Sequence, residues 1–164
     1  MEHGATADGL LALNRQTLQK AREWEYLQRF RENFADFPEG EVVSSEHPDF
    51  LIKTQSRRIG IELTEYHVQE PDEGWGSPMR AREGNPHSPE LQQIMRTKVA
   101  KVPSYRQQCR EVWLLIVARS FEPSTHVDIG SEVESYRYEY GFDRVFFLHH
   151  ANESVAELHV RSAS

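Results

Sequence analysis

The chain has 164 residues, 38% of them hydrophobic and 27% charged, with a formal net charge of −7. That is enough apolar material for one globular domain over 1–164 with a sizeable core, and too acidic a balance for a protein whose whole surface grips phosphate. No run approaches the roughly 18 apolar residues that span a bilayer, and Met1-Glu2-His3-Gly4 lacks the basic head and apolar stretch of a signal peptide, so a cytoplasmic protein without a membrane partner is expected.

Residues 1 to 8 are small and polar without a period and read as a loose tail. From Leu10 to about Phe34 there is no Pro or Gly, and Ala21, Trp24, Leu27, Phe30 and Phe34 recur at three- and four-residue spacing, which predicts a long amphipathic helix. Phe37-Pro38-Glu39-Gly40 ends it, and Glu41-Val42-Val43 with Asp49 to Lys53 reads as a bent or two-part first strand. A second strand is predicted from Arg58 to Tyr66, beyond the polar turn Lys53 to Arg58. The stretch 67–89 carries Pro71, Gly74, Gly76, Pro78, Gly84, Pro86 and Pro89, too many breakers for a regular element, and is expected to be a long loop. Leu91, Ile94, Met95, Val99 and Val102 mark a second helix, stopped or kinked at Pro103 and resuming toward Cys109. Val112 to Ala118 is a continuous apolar run of the kind found in a central strand covered on both faces. A short helix over Ile129–Tyr140, a buried strand over Arg144–His149 and an edge strand over Val155–Val160 complete the chain. This order predicts an α/β fold with a mixed central sheet flanked by helices. Cys109, the only cysteine, excludes an internal disulfide and reads as a small buried residue.

The chemistry concentrates on the two strands around the turn. In Ile59-Gly60-Ile61-Glu62-Leu63-Thr64 the aliphatic residues alternate with Gly60, Glu62 and Thr64, so Glu62 and Thr64 share the opposite face. Asp49 opens the partner strand directly after Pro48, at a strand start where its side chain is free to converge on Glu62. Two such carboxylates repel unless a cation or proton lies between them, which points to a divalent-metal site of hard oxygen ligands.

Pro48-Asp49 followed by Glu62-Leu63-Thr64 on the next strand resembles the PD-(D/E)XK phosphodiesterase superfamily. The resemblance covers roughly residues 20 to 118. It implies a restriction-endonuclease-like core, α-β-β-α-β with a C-terminal extension, in which Asp49 and Glu62 bind Mg²⁺ or Mn²⁺ and the substrate is DNA or RNA. The superfamily carries a lysine two residues after the Glu, and here Thr64 stands in that place. Helical projection supplies a replacement: Lys98 falls among Leu91, Ile94, Val102 and Tyr105 in the middle of an apolar face, with Lys101 nearer its edge. The same projection puts Glu23 between Leu27, Phe30 and Phe34, and a first-helix Glu assisting the metal is part of the family pattern. His67, Trp75 and the pair His149-His150 read as ordinary loop, anchoring and strand residues, the two histidines pointing to opposite faces. The expected function is a metal-dependent nuclease with Asp49, Glu62, Lys98, Lys101 and Thr64 at its centre. The alternative is a catalytically lapsed relative serving as a binding or assembly subunit or a regulator, an alternative that Thr64 and the acidic net charge favour.

Overall fold

The computed structural model describes residues 7–67, 89–119, 141–150 and 153–158. In chain order these form α1 (Ala7–Asn33), β1 (Glu41–Ser44), β2 (Phe50–Lys53), β3 (Arg58–His67), α2 (Pro89–Val99), the single turn α3 (Val102–Tyr105), β4 (Glu111–Arg119), β5 (Arg144–His149) and β6 (Val155–Leu158). The six strands make one sheet whose spatial order follows the chain. The pairs β1–β2, β2–β3 and β5–β6 are antiparallel, while β3–β4 and β4–β5 are parallel. The expected mixed α/β architecture is therefore present, and no helix among the described residues is long and apolar enough to cross a membrane.

Alternation along the strands divides the core in two. Ile59, Ile61 and Leu63 of β3 join Trp113, Leu115 and Val117 of β4, Phe146 and Leu148 of β5, and Tyr26, Leu27 and Phe30 of α1. Leu114, Ile116 and Ala118 of β4, with Val145 and Phe147 of β5 and Tyr66 of β3, pack instead with Met95 of α2 and Val102 and Tyr105 of α3. Because helices cover both faces, β4 is buried along nearly its whole length, the physical reason for its unbroken apolar sequence. The β2–β3 turn is closed by Thr54, whose Oγ1 accepts the N–H of Arg57 at 3.1 Å and donates to the Arg57 carbonyl at 2.9 Å.

Several boundaries differ from expectation. The first helix begins at Ala7, inside the stretch read as tail, and buries Tyr26, Leu27 and Phe30, whereas Trp24 stays 41% exposed and Ala21 lies on the surface. The helix outruns the sheet it packs on, so among the described residues the early part of its apolar stripe has nothing to cover. The two-part first strand is two separate strands interrupted by the bend at 45–49. The second helix starts at Pro89, where a proline costs no hydrogen bond. It breaks at Ala100–Lys101 rather than at Pro103, which occupies the first turn of α3. The C-terminal edge strand ends at Leu158 in its described part. The long loop, within 68–88, and the helix expected over Ile129–Tyr140 lie outside the described residues, as does Trp75.

Candidate metal centre

The site is built by the register of β2 on β3. Phe50 pairs with Ile61, so one step further along the antiparallel pair Asp49 faces Glu62, and residues directly opposite each other share a face of the sheet. Asp49 lies just beyond the last ladder pair, and there its side chain replaces the missing strand: Oδ2 accepts the backbone N–H of Leu63 at 2.9 Å. Gly60 makes this approach possible. A Cβ on it would come within 2.6 Å of both Pro48 Cγ and Cys109 Sγ, so the glycine lets Pro48, and with it Asp49, settle onto β3.

Glu62 is only 4% exposed. Its Oε1 receives a charge-assisted hydrogen bond of 2.6 Å from Nζ of Lys98, delivered from α2 on the same side of the sheet. Among the described residues neither its buried Oε2 nor the buried hydroxyl of Tyr105 on α3 has a hydrogen-bond partner of good geometry. That hydroxyl nevertheless lies close enough to feel Glu62: burial first, then the negative charge of Glu62, a polar contact with its carboxylate and the charge of Asp49 push its pKa up. The carboxyl of Asp49 is itself pushed up to about 7, chiefly by burial and then by the charge of Glu62. The Leu63 N–H opposes this rise, Glu23 adds to it and Lys98 opposes it. Asp49, Glu62, Glu23 and Lys98 thus occupy one electrostatic neighbourhood.

Lys20, which sequence reasoning passed over, ties α1 to this neighbourhood. Its Nζ donates to Glu23 Oε2 at 3.1 Å and to the carbonyls of Ser45 and Asp49 at 2.9 and 3.0 Å. The ammonium also sits 4.7 Å from the centre of the Phe50 ring. Two of its three acceptors are backbone carbonyls, which no pattern of residue types reveals. Thr64 follows Glu62 on the same face of β3, half-buried, and borders a groove of about 480 Å³ between α1 and the end of β3, lined also by Arg15, Gln19, Arg22, Glu23 and Glu65. Lys101 is exposed in the turn between α2 and α3 and does not enter the cluster. His149 and His150 point to opposite faces as expected, the first against Phe147 and the second edge-on to Tyr26. Nothing is described of the His67 side chain.

Two carboxylates on one face, Glu62 with a buried oxygen left over and Asp49 with its pKa pushed up by burial and then by the charge of Glu62, form a donor set that fits a small hard cation. Among the described residues no group of three or more His, Cys, Asp or Glu that could hold a metal ion occurs. Mg²⁺ is commonly held by one or two carboxylates with waters and substrate phosphates completing its shell, so a two-carboxylate site suits it. Comparison with family models, with curated proteins and with solved structures returns no match to this chain.

Proposed function

We propose that the chain is a Mg²⁺- or Mn²⁺-dependent phosphodiester hydrolase acting on DNA or RNA, built on a restriction-endonuclease-like core. The observation that carries this reading is the 2.6 Å contact between Lys98 and Glu62 opposite Asp49. A chain with Thr64 in the lysine position needs an amine from elsewhere, and α2 brings one to the strand carboxylate. The succession of helix, antiparallel strands, helix and parallel strand also supports the reading.

In this reading Asp49 and Glu62 hold the cation, and Glu23 adds negative charge from the α1 side. Bound there, the cation would polarise the scissile phosphate and lower the pKa of the attacking water. The Leu63 N–H keeps Asp49 turned inward. Lys98 neutralises the negative charge that develops on the phosphate oxygens, the Thr64 hydroxyl orients a water beside Glu62, and Lys101, exposed at the end of α2, contacts substrate phosphate outside the centre. Cleavage of DNA and RNA by the purified protein with Mg²⁺ or Mn²⁺ tests this directly. Lys98→Ala is expected to lower the rate by about 10²–10³ with the fold retained, and Lys101→Ala by less. A wild-type protein that cleaves neither polymer at any pH overturns the enzyme reading.

The second reading, a catalytically lapsed binding or assembly subunit, is favoured by the same ion pair seen from the other side: Lys98 already compensates Glu62, and the net charge is −7. Binding of nucleic acid that neither requires the cation nor leads to cleavage would support it.

A further inference from the structure

Two buried polar atoms near the site that find no well-placed partner among the described residues, Glu62 Oε2 and the Tyr105 hydroxyl, call for an explanation, because leaving such groups unpaired is costly and native interiors rarely do so. Tyr105 is wholly buried, and if packing were its only task a phenylalanine would fill the same slot without a hydroxyl to desolvate. The two orphans are chemically complementary, since a phenol donates and a carboxylate only accepts. They also come from elements that bracket one side chain: α2 sends Lys98 to Oε1 of Glu62, and α3, the very next turn, sends Tyr105 to the neighbourhood of the Glu62 carboxylate.

We infer that Tyr105 is a positioning residue of the candidate cation site, its hydroxyl donating directly or through one ordered water to Glu62 Oε2 while Lys98 holds Oε1. A carboxylate gripped at one oxygen still swings about its last side-chain bond. Gripped at both, it keeps one orientation, and its remaining lone pairs are left for a cation shared with Asp49. Second-shell donors of this kind raise affinity by preorganising a ligand they do not replace. The inference rests on the reading of Asp49 and Glu62 as cation ligands and does not require that the protein cleave anything.

Calorimetric titration of the full chain with Mg²⁺ and Mn²⁺ tests it. Tyr105→Phe should bind both ions about tenfold more weakly than wild type, with a modestly lower thermal midpoint because Glu62 Oε2 loses its donor. A Tyr105→Phe protein that binds both ions like wild type, whatever its thermal midpoint, reduces Tyr105 to packing and overturns the inference while leaving the cation site standing. Wild type that binds neither ion overturns the site and the inference with it. Should Tyr105→Phe fail to fold, 3-fluorotyrosine introduced at position 105 of the otherwise unchanged chain provides the readout: its ¹⁹F resonance should move on saturation with Mg²⁺, and a resonance that stays put overturns the inference.

Discussion

Strand β3 presents two chemically opposed faces within six residues. Toward α1 it shows Ile59, Ile61 and Leu63, all buried among Phe30, Trp113 and Phe146, whose rings meet with centroids 4.8–5.2 Å apart. Toward α2 and α3 it shows Gly60, Glu62 and Thr64: a residue without a side chain, a buried charge and a hydroxyl. The first face is what a sheet does to become stable. The second gives up apolar burial at the very positions where a core would normally collect it, leaving one of them empty and filling the others with polar groups that need a partner. Stability and chemistry are thus divided between the sides of a single strand, and substitutions on the two sides should fail in different ways.

The largest loss of stability is expected on the α1 side. Phe30 is fully buried and touches Phe34, Phe37 and Phe146, so Phe30→Ala should cost about 3–5 kcal/mol in denaturant unfolding, whether or not divalent cation is present. On the other side Lys98→Met leaves Glu62 as an unpaired buried carboxylate, and a loss toward the lower end of about 3–5 kcal/mol is expected, since the lysine side chain is 21% exposed. Here the two faces separate. The double variant Glu62→Leu with Lys98→Met should recover most or all of that stability while binding no cation, because a buried ion pair exchanged for apolar groups of similar size is often neutral or stabilising. No second substitution on the chemical face should restore what Phe30→Ala removes.

Asp49 gives the comparison a pH axis. Its folded-state carboxyl is pushed up from 3.8 to about 7, first by burial and then by Glu62, so between those values the folded chain binds a proton that the unfolded chain has released. The sign follows: this group contributes no penalty below about pH 4, an increasing one as pH rises, and its full penalty above about pH 7. Stability measured by urea unfolding should therefore fall across that window in wild type, and Asp49→Asn should remove this fall. An Asp49→Asn protein with the same slope as wild type would show that the acid side of the face is not strained. Smaller again is Gly60→Ala, where the new methyl would meet Pro48 and Cys109 at 2.6 Å. About 1–3 kcal/mol is expected, together with weaker cation binding, because the displaced Pro48 carries Asp49 with it.

How much of this was legible in the sequence depended on whether the signal was carried by side-chain pattern or by backbone. The alternation in 59–64 fixed which residues share a face, and the unbroken run Val112–Ala118 fixed a strand covered on both sides; both stand in the fold. The projection that set Lys98 among Ile94, Val102 and Tyr105 anticipated a lysine turned inward, and it meets Glu62. Periodicity failed where the helix outran its sheet, so that Trp24 lies at the margin, and it misjudged the break in the second helix because Pro103 is tolerated in the first turn of α3. Lys20 was invisible for a different reason. Its acceptors at Ser45 and Asp49 are carbonyl oxygens, which every residue type carries alike.

Lys20 also supplies the weakest test, and the one that most directly probes the division between the faces. It belongs to α1, the helix of the apolar side, yet its ammonium reaches around the end of β2 to both carbonyls of the 45–49 bend and to Glu23. It therefore holds the backbone from which Asp49 projects. Lys20→Met keeps the stem over Phe50 and removes the three donations. Because the lysine side chain is 31% exposed and water can replace part of what is lost, the cost in global stability should be only about 1 kcal/mol. The local consequence should be larger in proportion: with the bend released, hydrogen exchange of the Leu63 amide should quicken as its bond to Asp49 Oδ2 loosens, and Mg²⁺ should bind more weakly in a calorimeter although no proposed ligand has been altered. If Lys20→Met lowers stability by the expected amount but leaves Leu63 exchange and Mg²⁺ affinity unchanged, then Asp49 is held by β3 alone. The stable face would then have no hand in shaping the chemical one.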